Sequence, residues 1–367
     1  MTRLAWQRAA WHLCGVSSKR TRWILIGVVV AAVAAVVTMV SMRRGSVADV
    51  ERRWSEADLP TLPPTASNGW QVVVDARAQL PVDYPTENLA EVSALLADPD
   101  TVWSELEARD ATMSPIIAAF KRSAYRDVWH RARALPTFAD ACAWVAMADC
   151  PTIMLVQLHR IAVLDFLLDA RGEHWDEALE GMHRLLQIEL DFQASARDVV
   201  AQVAAAEMLA DGMSATVALV TRAGAQGQQP QLRAKLLELA STAEFGPHLD
   251  RAVVAHYLRT MVGLEQLAAA QATAGVPGDL ATWLFSPAKT GAELNRYFRV
   301  LMKVVTDEAG RPEPADAQAC QLRFDPACCQ LLEIAATAHQ LRDHRDQVLR
   351  ALARVEAAQA KLPVDAD

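Results

Sequence analysis

The apolar positions of the chain recur at helical spacing almost from end to end. After Pro151 the run TIMLVQLHRIAVLDFLLDAR is apolar nearly all the way round and closes at Gly172, the pattern of a helix at the buried centre of a bundle. HWDEALEGMHRLLQIELDF follows at once, then ARDVVAQVAAAEML and, past Gly212, SATVALVTRA. LRAKLLELASTAE, HLDRAVVAHYLRTMVGLEQLAAAQ and SPAKTGAELNRYFRVLMKVVTDE continue the series. Ser114-Pro115 reads as a cap and first-position pair that opens PIIAAFKRSAYRDVW, and Asn68-Gly69 opens the first helix of the domain. Val72-Val73-Val74 is a short β-like run, but Trp70, Val73 and Leu80 share one helical face. The expected class is all-α.

One stretch departs from this amphipathic pattern. From Trp23 to Met42 twenty residues pass without a charge, between Arg20 and Arg22 on one side and Arg43 and Arg44 on the other. At 1.5 Å per residue such a helix is about 30 Å long, the thickness of a bilayer hydrocarbon core. Ala32-Val33-Ala34 resembles a signal-cleavage site, but a cut there leaves an apolar tail from Ala35 to Met42. Length favours a retained anchor. Five basic residues precede the segment and Arg43, Arg44, Arg52 and Arg53 follow it, so positive-inside counting gives only a lean. A long domain translocates largely regardless of its charge, which puts the tail in the cytoplasm and the domain outside.

The organisation expected is a basic tail (1–22), a transmembrane helix (23–42), a juxtamembrane segment with a Pro-containing linker (43–67) and a large antiparallel helical bundle or helical-hairpin domain (68–363). AGAQGQQPQ at 223–231 is a candidate internal boundary. In the last helix Ile334, Leu341, Val348, Val355 and Leu362 repeat every seven residues, but the second seam (Ala338, Arg345, Leu352, Gln359) is only half apolar. A coiled coil wants both seams apolar, so this helix is expected to dock on the bundle, with self-association through 334–362 as the alternative.

The hairpin 154–192 resembles a tetratricopeptide unit, chiefly in EHWDEALEGMHRLL. There Trp175, Ala178, Met182 and Leu186 match the aromatic, small, bulky and leucine positions of the repeat. Asp165 or Phe166 stands where the first helix of that repeat has a small residue, and no second copy follows. The resemblance implies antiparallel helix pairs and a groove that takes a partner.

Charge divides the chain. Residues 45–367 hold 29 basic against 44 acidic residues, net −15, while residues 1–44 contain no acid. A strongly acidic domain argues against nucleic-acid binding, which needs a clustered basic face. Two cysteine pairs share one spacing, Cys142 with Cys150 and Cys320 with Cys328, and are candidate disulfides in an oxidising compartment. On a continuous helix the partners of each pair lie about 12 Å apart, too far to bridge, so each bond requires a turn. Buried free thiols are the other reading.

Little in the sequence carries chemistry. Asp165 and Asp169 are one turn apart, a carboxylate pair that is more often a solvated or Arg-paired face than an acid–base dyad. His248, Asp250 and His256, and His339, Asp343 and His344, lack the i,i+4 pairing of helical metal sites; Cys320, Cys328, Cys329 and His339 lack zinc-ribbon spacing. P-loop, G-x-S-x-G and HExxH motifs are absent from the sequence. No catalytic, cofactor or metal residue is therefore assigned. The expected function is a membrane-anchored, non-enzymatic helical interaction or scaffold protein with a protein or peptide partner in or at the membrane. An envelope enzyme assembled from distant helices, or a ligand sensor signalling through a membrane partner, is the alternative.

Overall fold

The computed structural model describes residues 26–34, 48, 50–77, 89–140, 150–244, 248–273, 286–306 and 338–363. Apart from turns and loops these residues are helical, joined by two short 3-10 turns and one isolated bridge between Asn68 and Thr137. The all-α expectation holds. Twelve helices are named here: α1 (Gly69–Ala76), α2 (Leu89–Leu95), α3 (Val102–Ala108), α4 (Asp110–Lys121), α5 (Ala124–Arg133), α6 (Thr152–Arg171), α7 (Trp175–Ser195), α8 (Val199–Ala225), α9 (Pro230–Thr242), α10 (Leu249–Thr273), α11 (Pro287–Thr306) and α12 (Ala338–Gln359).

The fold comprises two compact units. One gathers residues 1–51, 263–294 and 316–332; the other holds 52–262, 295–315 and 333–367. In the smaller unit Leu264, Leu294 and Thr290 are buried, and Val50 lies against Gly291 so closely that a Cβ there would stand 2.6 Å from both Val50 methyls. The larger unit is built on α6, α7 and α8, which pack on one another; α9 adds to α7 and α8, and α12 lies along α8.

Helix α1 starts where Asn68 caps it, its side chain accepting from Trp70 N–H at 3.2 Å. The same amide brackets Ala139, donating to its carbonyl at 2.8 Å and accepting from its N–H at 2.9 Å. Trp70 and Val73 face inward as their shared face predicts, Trp70 edge-on to Phe192 at 5.4 Å; Leu80 lies outside the described residues. Gly69 admits this approach, because a Cβ there would overlap the Ala132 carbonyl oxygen.

Two boundaries differ from the sequence reading. Helix α4 starts at Asp110, so Pro115 is its sixth residue and not its first. Ser114 does not cap: its hydroxyl donates back one turn to Asp110 Oδ1 at 2.6 Å, an oxygen that also accepts from Arg171 at 2.7 Å. Helix α8 runs unbroken for 27 residues through Gly212. Helix α6 ends at Gly172 as expected, although Glu173 takes the left-handed turn (φ 66°).

Among the described residues the helix long and apolar enough to span a membrane is α8, and it is mostly buried inside the bundle. A helix buried on every side is apolar for the same reason a membrane helix is. Of the expected N-terminal span, residues 26–34 are helical and exposed; Trp23 and Met42 lie outside the described residues. The candidate boundary at 223–231 holds the turn between α8 and α9, which belong to the same unit.

Candidate functional site

The most perturbed side chains of the described residues meet where α6, α7, α8 and α12 cross. His159 interrupts the apolar surface of α6 and Glu189 that of α7; the two face each other, Nε2 to Oε1, at 2.7 Å, with side chains 1% and 0% exposed. Glu189 lies against Gly212 of α8, where a Cβ would overlap both carboxylate oxygens. The missing side chain is what lets the carboxylate into the helix interface. Gly212 costs α8 about 1 kcal/mol of helix propensity relative to alanine, and packing along the rest of the helix sustains it.

Burial decides the charge state of this pair. It lowers the His159 pKa to about 3, with the neighbouring Arg160 cation adding to the shift. It drives the Glu189 pKa well above the usual carboxylate range, with the Asp211 carboxylate adding to it. The neutral pair follows: the Glu189 carboxyl donates to the imidazole Nε2, and no charge remains in the apolar interior. His159 Nδ1 and Glu189 Oε2 have no hydrogen-bond partner among the described residues.

One residue before Gly212, Asp211 carries the adjoining ion network. Its side chain is 1% exposed, and its two oxygens take separate arginines: Arg160 Nε donates to Oδ2 at 3.1 Å and Arg354 Nη2 to Oδ1 at 2.9 Å. Burial raises the Asp211 pKa, with Arg160 and then Arg354 pulling it back. Arg354 also reaches Glu207 at 3.4 Å, so one arginine of α12 clamps two turns of α8. No protein-family model matches the chain, and neither curated proteins nor solved structures include a match. Chemical inference therefore starts from this geometry alone.

A His–Glu pair with displaced pKa values is the raw material of acid–base chemistry. Here it is sealed, since neither side chain is more than 1% exposed. What such a pair does in a dry core is fix register. Each helix carries one polar group that is satisfied only when the helices are correctly aligned.

The residues singled out from sequence lie elsewhere. Asp165 and Asp169 share Lys121, at 2.8 and 3.8 Å, a partly exposed ion-paired face. Burial, then Asp165, raises the Asp169 pKa. Among the described residues no group of three or more His, Cys, Asp and Glu side chains is placed to hold a metal ion. His256 instead lies tilted against Phe298, ring centres 5.4 Å apart. Cys150 is disulfide-bonded. Cys142, Cys320, Cys328, Cys329 and the His339 side chain lie outside the described residues. Trp175, Ala178, Met182 and Leu186 are all buried in the α6–α7 hairpin.

His159 is a polar interruption of the apolar run TIMLVQLHRIAVLDFLLDAR, while Glu189 and Asp211 belong to no motif singled out from sequence. The available signal was an acidic residue inside each of two largely apolar runs, Glu189 in LLQIEL and Asp211 in MLADGMSA. What no pattern gives is that residues 30 apart in the chain meet.

Proposed function

We propose that the protein is a membrane-anchored, non-enzymatic helical interaction protein whose domain stands outside the cytoplasm and takes a protein or peptide partner at the membrane. The observation that carries this reading is the helix at 26–34: Ile26, Val28, Val29, Val30 and Val33 are each more than half exposed. Elsewhere among the described residues the large exposed hydrophobics are Ile153, Val200 and Leu349, each on a different helix, so a helix with five together left uncovered is suited to lipid. The disulfide at Cys150 fits an oxidising compartment. The sealing of the His159–Glu189 pair favours a structural over a catalytic role for the strongest pKa shifts in the described chain.

Topology tests this directly. A reporter active only outside the cytoplasm, fused after residue 363, is expected to be active. A silent reporter on a well-expressed chain reverses the orientation and removes the compartment in which the disulfide is stable.

A further inference from the structure

Helix α11 has an outer face unlike the rest of the domain. Lys289, Ala292, Arg296, Arg299 and Lys303 follow one another at intervals of three and four residues, and all five are exposed. The opposite face is buried through Leu294, Tyr297, Phe298 and Leu301. Glu293 is the one acidic residue in the sequence of α11, and it is half-buried. Four cations on one helical face, in a region of net −15, form a concentrated positive stripe.

The chain leaving the expected span is fastened to this same helix. In the smaller unit Val50 packs on Gly291. In the larger unit the Arg53 N–H donates to Tyr257 Oη at 3.1 Å, Tyr257 Oη donates to Asn295 Oδ1 at 2.9 Å, and Trp54 lies edge-on to Tyr257 at 5.1 Å. From Met42 to Val50 the chain takes eight residue steps. Fully extended they cover at most about 28 Å. Helices α10 and α11 are thus the ones whose distance from the bilayer is limited by a short tether, and of the two α11 carries the basic face.

We propose that the basic face of α11 docks on the anionic phospholipid headgroups of the bilayer that holds the anchor. The inference rests on the anchor reading and adds a pose to it. The net charge of the region disfavours an anionic surface, the basic face of α11 attracts one, and the tether keeps this face close. Each basic residue at such a surface strengthens attachment about fivefold.

Full-length protein in nanodiscs of phosphatidylcholine, or of phosphatidylcholine mixed with phosphatidylglycerol, is treated with a water-soluble acetylating reagent, and lysine modification is read by mass spectrometry. Lys289 and Lys303 are expected to react at least about fivefold more slowly in the anionic bilayer. High salt restores the rate, while Lys235, exposed on α9, reacts equally in both. The double variant Arg299→Glu, Lys303→Glu, whose wild-type side chains are both exposed, abolishes the protection of Lys289. Equal rates at Lys289 and Lys303 in the two bilayers, with the chain retained in both, overturn the docking proposal and leave the anchor standing. Protection by soluble polyglutamate but not by anionic lipid also overturns it and assigns the stripe to an acidic protein partner. A chain that does not co-elute with phosphatidylcholine nanodiscs overturns the anchor reading and this proposal with it.

Discussion

At the scale of single residues, Gly212 and Glu189 form a contact that two substitutions can take apart. Gly212→Ala places a methyl where the Glu189 carboxylate lies, and that carboxylate is itself held by His159. The expected loss is about 1–3 kcal/mol by urea denaturation, and it shrinks in a Glu189→Ala background, where the methyl has room. Replacing Glu189 alone by leucine strands a buried neutral imidazole and costs about 1–3 kcal/mol, whereas His159→Leu with Glu189→Leu is close to neutral. The pH profile follows from the two shifts. Between pH 4.5 and 6.5, the unperturbed values of the two groups, the unfolded chain holds a proton on His159 that the native chain lacks, and the upward shift of Glu189 offsets it with a proton that the unfolded carboxylate has lost. Below 4.5 the unfolded chain gains a second proton, while native His159 stays neutral down to about 3, so stability falls as pH falls. The upward shift of Glu189 acts in the opposite sense: past the usual carboxylate range the native group keeps a proton the unfolded one has lost, which lowers stability as pH rises. Each slope is about 1.4 kcal/mol per pH unit. Subtracting the double-leucine variant's stability profile from that of the wild type isolates this plateau. Little of it was legible beforehand. His159 stood out as a polar residue in an apolar helix, but Gly212 read as a stop signal, because sequence carries the cost of a mid-helix glycine and not the neighbour that demands it.

At the scale of elements, the helices were legible wherever amphipathic spacing and a terminal cap agreed, as at Asn68 and at Gly172. They were misjudged where a strong local signal lay inside a helix. Pro115 looks like a first-position proline, yet α4 extends five residues ahead of it, giving up one backbone hydrogen bond. The last helix was read as docked from its half-apolar second seam, and Val348, Leu352 and Val355 are indeed buried where α12 lies on α8. Two polar contacts on that helix differ in consequence. Arg354→Leu leaves buried Asp211 with Arg160 alone and is expected to cost about 1.5–3 kcal/mol, seen as faster amide exchange along α12. Lys361, paired with Asp98 and Asp100 at 2.8 and 2.7 Å, is solvent-exposed with both partners. Lys361→Ala leaves the denaturation midpoint unchanged within error.

At the scale of the whole molecule, the sequence conveyed a helical domain behind an apolar segment. It did not convey which distant stretches share a unit, because nothing local in residues 263–294 announces that they join residues 1–51. The full chain also exposes a hazard in α8. On the proposed topology the domain is exported as an unfolded polypeptide, and α8 passes through the export channel before α12 exists to cover it. A 27-residue helix of this apolarity is a natural halt signal for that channel, which would leave a second span in the lipid. Asp211 stands at its middle, and an aspartate there opposes lateral release into the bilayer by about 2.5–3.5 kcal/mol. The carboxylate that later anchors two arginines would thus first keep its own helix moving. Asp211→Leu is expected to strand the chain: the reporter after residue 363 goes silent, and protease treatment from outside leaves a protected fragment that begins near residue 199 and runs to the C-terminus.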